Sequence, residues 1–231
     1  MTIDGGRIRW VFFDVGDTLL DEREAMFDWC GQVAGELNRR RQGRGLAVVD
    51  AADVWLARER AYVEFAPDVL RRILKILGVP TTDAKDVYRA AQYPHALERP
   101  FVDAPPVLRQ LAARFHLGVI ANQEGGVRER LRGHGWGSLF AVCVSSAEEG
   151  VKKPDPAIFR LALARAGCRA DEALMVGDRI DNDIAPAKSI GMSTVRVRQG
   201  LARKQEPRGR AEMPDVTIRR LRELPALLGL P

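Results

Sequence analysis

The stretch VFFDVGDTLLD, residues 11–21, decides how this chain is read. With Ile8, Arg9 and Trp10 before it, it opens as a short, bulky, largely apolar run that stops at Asp14. Such a run predicts a strand buried on both faces, whose carboxyl end opens at Gly16 into a turn. Three aspartates follow: Asp14, Asp17 and Asp21. An acid at the end of a buried strand is costly unless it is used. Asp14 is therefore a candidate nucleophile or metal ligand, and the question is which group serves as its acid–base partner.

Outward from that strand, residues 24–40 carry Met26, Phe27, Trp29, Cys30, Val33, Ala34 and Leu37 at helical spacing. Gly43 and Gly45 interrupt the pattern. Residues 51–65, 67–77 and 82–92 also read as helices, the last capped by Thr82 or Asp83. Beyond residue 99 the pattern alternates. Helices are expected at 106–115, 126–133, 155–166 and 183–190. Strands are expected at 116–122, 140–146, 172–178, 192–198 and 215–218, followed by a closing helix that Pro225 kinks or interrupts. This alternation means a parallel sheet with right-handed crossovers. The predicted fold is α/β: a Rossmann-like parallel-sheet core from residues 1–21 and 99–231, with an α-helical domain inserted over 22–98.

Composition narrows the function classes. A chain of 231 residues with 46% hydrophobic content suits one core domain with a smaller insert. No apolar run is long enough to span a bilayer, and MTIDGGRIRW has no signal-like apolar region. Cys30, Cys143 and Cys168 lack CxxC spacing, so they read as gap-filling side chains in a reducing cytoplasm. His95, His116 and His134 share no metal-ligand spacing. The net charge of +5 is spread along the chain. Its densest basic clusters, RRRQGR (39–44) and RQGLARKQEPRGR (198–210), contain no aromatics to stack on bases. They read as solvated loops or helix ends, and neither a nucleic-acid nor a membrane partner is expected.

In an open α/β sheet, ligands bind at the carboxyl ends of the strands. Strand one delivers Asp14, Gly16, Asp17 and Thr18 there; the strand at 116 delivers Ala121, Asn122 and Gln123. The strand at 140 leads to EEGVKKPDP, with Lys152 and Lys153, and the strand at 172 runs into GDRIDND, with Asp178, Asp181 and Asp183. Carboxylates held close together repel, so a hard cation between them is expected, Mg2+ above all. A lysine beside them would neutralise an anionic substrate. An aspartate so placed can attack phosphorus, with metal and lysine stabilising charge on the transferred group.

FDVGDTLLD, VIAN, KKPDP and VGDRIDND, in this order, resemble the four motifs of the haloacid dehalogenase superfamily, and the helical insert resembles its small cap. The resemblance implies that Asp14 is the nucleophile and that Gly16 offers a backbone carbonyl to Mg2+. It implies that Thr18 supports the first loop and, with Ala121, Asn122 and Lys153, belongs to the phosphate site. Lys153 rather than Lys152 matches, because the family's lysine directly precedes PDP. Asp178 matches the acidic metal ligand and Asp183 the second acid that steadies the metal site.

Two departures bear on mechanism. Phosphatases of that family resemble D-x-D-x-T, the second aspartate being the acid–base group; here that position is Gly16. Asp17 follows one residue later, where an extended chain points it to another side. Ala121 replaces the usual Ser or Thr, leaving the N–H groups of Asn122 and Gln123 to meet an oxyanion. Since general acid–base catalysis contributes about 10²–10⁴-fold, its loss favours substrates with good leaving groups. The expectation is a cytoplasmic, Mg2+-dependent hydrolase of phosphate esters or acyl phosphates. It would act on a small phosphorylated metabolite through an aspartyl-phosphate, as a monomer or homodimer. The alternative is a degenerate member that binds a phospho-ligand or a partner without turnover. The acids of GDRIDND would repel an anionic haloacid and argue against dehalogenation. Phosphonatase chemistry needs a cap lysine, and the insert offers only Lys75, in an amphipathic helix, and Lys85.

Overall fold

The computed structural model describes residue 3 and residues 5–42 and 47–231; Gly43, Arg44 and Gly45 lie outside the described residues. The chain divides into two compact units, Met1–Asp21 with Pro100–Pro231, and Glu22–Arg99.

The first unit is built on β1 (Trp10–Phe13), β4 (His116–Ala121), β5 (Phe140–Ser145), β6 (Ala173–Gly177), β7 (Ser193–Val197) and β8 (Val216–Ile218). They form one sheet in the order β5-β4-β1-β6-β7-β8, and each of the five pairings is parallel. All four residues of β1 are buried, as a strand covered on both faces requires. Val11, Phe13, Val119 and Val176 face one apolar cluster; Trp10, Phe12, Ile120 and Met175 face the other. Helices α5 (Ala104–Ala112), α6 (Val127–Gly133), α7 (Ser146–Glu149), α8 (Pro156–Ala166), α9 (Ala185–Ser189) and α10 (Leu224–Leu227) supply the connections and the end of the chain. The chain leaves this unit through the short strand β2 (Leu20–Asp21) and returns through β3 (Arg99–Pro100). There Phe101 N donates to Leu19 O at 3.0 Å.

The second unit holds α1 (Arg23–Arg41), α2 (Ala51–Val63), α3 (Val69–Ile76) and α4 (Ala84–Ala90). Asp50 and Asp53 form a reciprocal capping box that starts α2. The Arg58 guanidinium lies 5.1 Å from the Trp29 ring centre and 5.3 Å from that of Tyr62. His95 Nδ1 lies 2.7 Å from Oε1 of the buried Glu98, and Lys75 is exposed.

Three expected elements differ. Residues 82–92 open with a 3₁₀ turn, Thr81–Asp83, before α4; Asp83 stands at the N-cap of α4, but its side chain makes no capping hydrogen bond. The Thr82 hydroxyl donates to Asp83 instead, at 3.3 Å. Pro225 sits in the first turn of α10, where its missing N–H leaves no bond unmade, so it starts the helix rather than kinking it. The helix expected at 183–190 begins with a π-helical turn, Ile180–Ile184, before α9. Cys30 and Cys143 are buried, and burial pushes their thiols up to about 11. Among the described residues, no helix is long and apolar enough to cross a membrane.

Candidate active site

β1 is a central strand with β4 and β6 on either side, so the residue after Phe13 emerges between two strand ends. Phe13 pairs with Val119 on one side and Val176 on the other. Asp14 N donates to Val176 O at 2.9 Å, which keeps the backbone in the sheet up to the acid. The Asp14 side chain is 13% exposed: it sits at the sheet's end, not in its interior.

Lys153 reaches the same point from the loop before α8. Asp155 caps that helix by accepting from Ala157 N at 2.9 Å, and Pro156 takes its first position, so the sequence PDP itself fixes where the loop stops and the helix starts. The ammonium of Lys153, with the residue 3% exposed, has three close partners: Asp14 Oδ1 at 2.6 Å, Asp183 Oδ1 at 2.6 Å and Ile120 O at 3.0 Å. Burial alone would lower its pKa, but the two carboxylates more than offset this and hold the ammonium charged above its usual range.

Asn122, at the end of β4, grips the loop below that ammonium. Its Nδ2 donates to Lys153 O at 2.7 Å and its Oδ1 accepts from Lys153 N at 2.7 Å. Ala121 is fully buried and pairs in register with Ser145 of β5, which is also fully buried with an Oγ that makes no hydrogen bond.

The acidic loop follows β6. Gly177 lets Asp183 fold back: a Cβ at position 177 would fall 2.5 Å from the Asp183 carboxyl carbon. The π turn closes this return, with Asp183 N donating to Arg179 O at 2.9 Å and Arg179 N to Asp183 Oδ2 at 3.0 Å. One carboxylate oxygen of Asp183 is thus held by backbone and the other by Lys153. Such π turns recur at functional sites. Carboxylate oxygens of Asp14, Asp178 and Asp183 lie within 4.8 Å of one another. Burial first, then Asp183, Asp17 and Asp14, push the Asp178 carboxyl well above the usual range. Burial likewise raises Asp183 to about 6, against the pull of Lys153. Three clustered acids facing one buried lysine leave an excess of negative charge, and the all-oxygen donor set fits a hard divalent cation.

The structure therefore brings Asp14, Lys153, Asp178 and Asp183 into one cluster, with Asn122 holding its lysine. Gly16 lies two residues beyond Asp14 and bridges to Leu20. Thr18 is fully buried, its Oγ1 makes no hydrogen bond, and its backbone carbonyl accepts from Gln199 Nε2 at 3.0 Å. Asp181 pairs with Arg179. The segment 198–210, expected to be a solvated loop or helix end, instead buries Leu201, Ala202 and Gln205 and bonds to both site loops. Its apolar residues are too few and too irregular to show a period, so the sequence carried no signal for this.

Comparison with known proteins agrees with this architecture. A family model described as a haloacid dehalogenase-like hydrolase matches residues 8–191. A glyceraldehyde 3-phosphate phosphatase of Methanopyrus kandleri is 41% identical over 128 residues, 54% of this chain and 55% of that protein; the chain thus spans about half the length of that relative. A haloacid dehalogenase-type phosphatase of Thermococcus onnurineus superposes with a TM-score of 0.67 at 26% identity, over 96% of this chain and 98% of the other. A 2-haloacid dehalogenase of Pseudomonas syringae pv. Tomato superposes with a TM-score of 0.61 at 27% identity over the same shares. With the family model covering most of the chain, and the sheet order and strand-end cluster as described, the chain belongs to the haloacid dehalogenase-like hydrolase family.

Proposed function

We propose that this protein hydrolyses phosphate monoesters or acyl phosphates with Mg2+, using Asp14 as nucleophile. The observation that carries this reading is the position of the Lys153 ammonium, 2.6 Å from both Asp14 and Asp183, whose carboxylates lie within 4.8 Å of the buried Asp178 carboxylate. A dehalogenase needs no cation, and two further acids, Asp178 and Asp183, beside its nucleophile would repel an anionic haloacid. A phosphatase uses the same cluster to hold a metal.

In this reading a carboxylate oxygen of Asp14 attacks phosphorus while the bond from phosphorus to the leaving oxygen breaks, its electron pair leaving with that oxygen. An aspartyl-phosphate results, which water then hydrolyses back to Asp14 and phosphate. Lys153 orients Asp14 and offsets charge on the phosphoryl group. Asp14, Asp178 and the Gly16 carbonyl would hold Mg2+, with Asp183 steadying the set. The bound ion supplies charge neutralisation at the phosphoryl oxygens. Gly16 has no proton to give, so the leaving group departs unaided and acyl or aryl phosphates react fastest. The backbone N–H groups of Asn122 and Gln123, with Thr18 and Ala121 shaping the loops around them, would receive the phosphate. The unit Glu22–Arg99 serves as the substrate-selecting cap. The phosphatase relatives support a small phosphorylated metabolite of triose-phosphate size as substrate.

The test is hydrolysis of acetyl phosphate, p-nitrophenyl phosphate and glyceraldehyde 3-phosphate, with and without Mg2+, by the wild type and by Asp14→Asn. Mg2+-dependent release of phosphate that Asp14→Asn abolishes is the expected result. A folded, Mg2+-binding wild type that turns over none of the three would favour a non-catalytic phospho-ligand binder.

A further inference from the structure

Asp17 stands one residue after the position where an acid–base aspartate is missing, and the structure turns it away from that task. It adopts a left-handed backbone, φ 51°, which aspartate tolerates better than most residues. Its Oδ2 accepts a hydrogen bond from Leu201 N at 3.0 Å, in the loop after β7. Gly200, at φ 64°, lets the two segments meet: a Cβ there would lie 2.2 Å from Asp17 Cγ and 2.3 Å from Asp17 Cβ. One residue earlier, Gln199 Nε2 donates to Thr18 O at 3.0 Å. The loop that follows Asp14 is thus tied at two consecutive residues.

The same segment also holds the acidic loop. Gln205 is fully buried; its Oε1 accepts from Ile180 N at 2.9 Å and its Nε2 donates to Asp181 Oδ1 at 3.0 Å. Arg196, buried at the end of β7, donates to Asp178 O at 3.3 Å and to Ala202 O at 2.9 Å. One continuous piece of chain therefore bonds to the loop after the nucleophile at one end and to the loop carrying Asp178 and Asp183 at the other.

We propose that residues 199–205 form a strap that sets the distance between the two loops, with Asp17 as its positioning residue through the bond to Leu201 N. Asp17 is then no substitute for the missing proton donor. Its part in the strap is to accept the hydrogen bond from Leu201 N, which an amide oxygen can also do. The strap rests on the contacts above; its effect on turnover rests on the phosphatase reading.

That difference gives the experiment. Asp17→Ala removes the acceptor, Asp17→Asn keeps an acceptor but loses the charge, and Gly200→Ala forces the segments apart. Gln199→Ala removes only the neighbouring bond and serves if Asp17→Ala does not fold. Each variant is measured for hydrogen exchange at the Leu201 amide, for Mg2+ binding by calorimetry, and for kcat and KM on acetyl phosphate. Asp17→Ala and Gly200→Ala are expected to speed exchange at Leu201, to weaken Mg2+ binding relative to Asp17→Asn, and to lower kcat roughly 10–100-fold with a smaller change in KM. Gln199→Ala should do the same to a lesser degree, and Asp17→Asn should stay within a few-fold of wild type in Leu201 exchange and kcat, its Mg2+ binding changing only as far as the lost charge near Asp178 requires. Unaltered Leu201 exchange in Asp17→Ala would overturn the strap. So would an Asp17→Asn enzyme as slow as Asp17→Ala with its Leu201 amide still protected, since the carboxylate itself would then be what matters. A wild type inactive on every phosphate would sink the phosphatase reading alone, because exchange and Mg2+ binding still decide the strap.

Discussion

Asn122 holds Lys153 by both of its backbone polar groups, accepting from the N–H at 2.7 Å and donating to the carbonyl at 2.7 Å. The two residues are 31 positions apart, so this clamp fixes where the loop from β5 meets the end of β4. Asn122→Ala leaves both groups without a partner. We expect a loss of about 2 kcal/mol in denaturant unfolding, with phosphate release slowed roughly tenfold or more because the ammonium drifts from Asp14. Unchanged unfolding midpoints and rates in that variant would show that the clamp does not set the lysine.

Lys153 is the cation between Asp14 and Asp183 in this structure. Removing one partner of a buried ion pair leaves the other charge uncompensated. Lys153→Met should lose about 3–5 kcal/mol in metal-free buffer and lose all hydrolysis. Mg2+ should restore part of that stability, because a divalent ion can stand in for the missing charge. A variant as stable as wild type without Mg2+ would contradict the ion-pair account.

Asp178 and Asp183 hold their protons more tightly in the folded chain than in the unfolded one, Asp178 well above 3.8 and Asp183 at about 6. The folded state then binds more protons than the unfolded state between the two sets of values. The contribution of Asp183 to stability is thus present below about pH 4 and is lost as pH rises through about 6, amounting to roughly 1–3 kcal/mol, and Asp178 acts in the same direction. Metal-free protein should melt lower at pH 7.5 than at pH 5, and Mg2+ should narrow the gap. The contrast can be read from melting curves with and without chelator, and a melting temperature that rises over the same interval without Mg2+ would contradict it.

Much of this arrangement is legible in the sequence, and the reason is local. β1, β4 and β6 are covered on both faces, so each is a nearly unbroken apolar run that ends where a polar residue begins. That grammar points to Asp14, to Ala121 with Asn122, and to Asp178. PDP marks a helix start and thereby the loop carrying Lys153. What the sequence hides depends on partners far along the chain. Arg198–Arg210 reads as a solvated run, yet Leu201 and Gln205 are buried because Asp17 and Ile180 meet them. The π turn at Ile180–Ile184 is likewise set by Asp183 folding back over Gly177, which helical periodicity cannot show.

By the motif resemblance, Gly16 matches the position of the aspartate that protonates the leaving group in phosphatases of the family. Gly16→Asp should raise kcat, by up to about 10²-fold for alkyl phosphates, whose leaving oxygen needs a proton. The gain should be small for acetyl phosphate, whose leaving group departs readily. Parallel kinetics on the two substrates check this. Equal gains on both, or none on either, would show that proton donation does not limit the reaction.

Covalent trapping tests Asp14 as the nucleophile most directly. The protein is mixed with acetyl phosphate and Mg2+, quenched in acid within the first turnovers, digested, and the peptide containing Asp14 is weighed. One added phosphoryl group is expected on Asp14 in the wild type, lost with chelator and lost in Asp14→Asn. Steady phosphate release by a wild type that never carries phosphate on Asp14, or an Asp14→Asn variant that turns over at the wild-type rate, would contradict it.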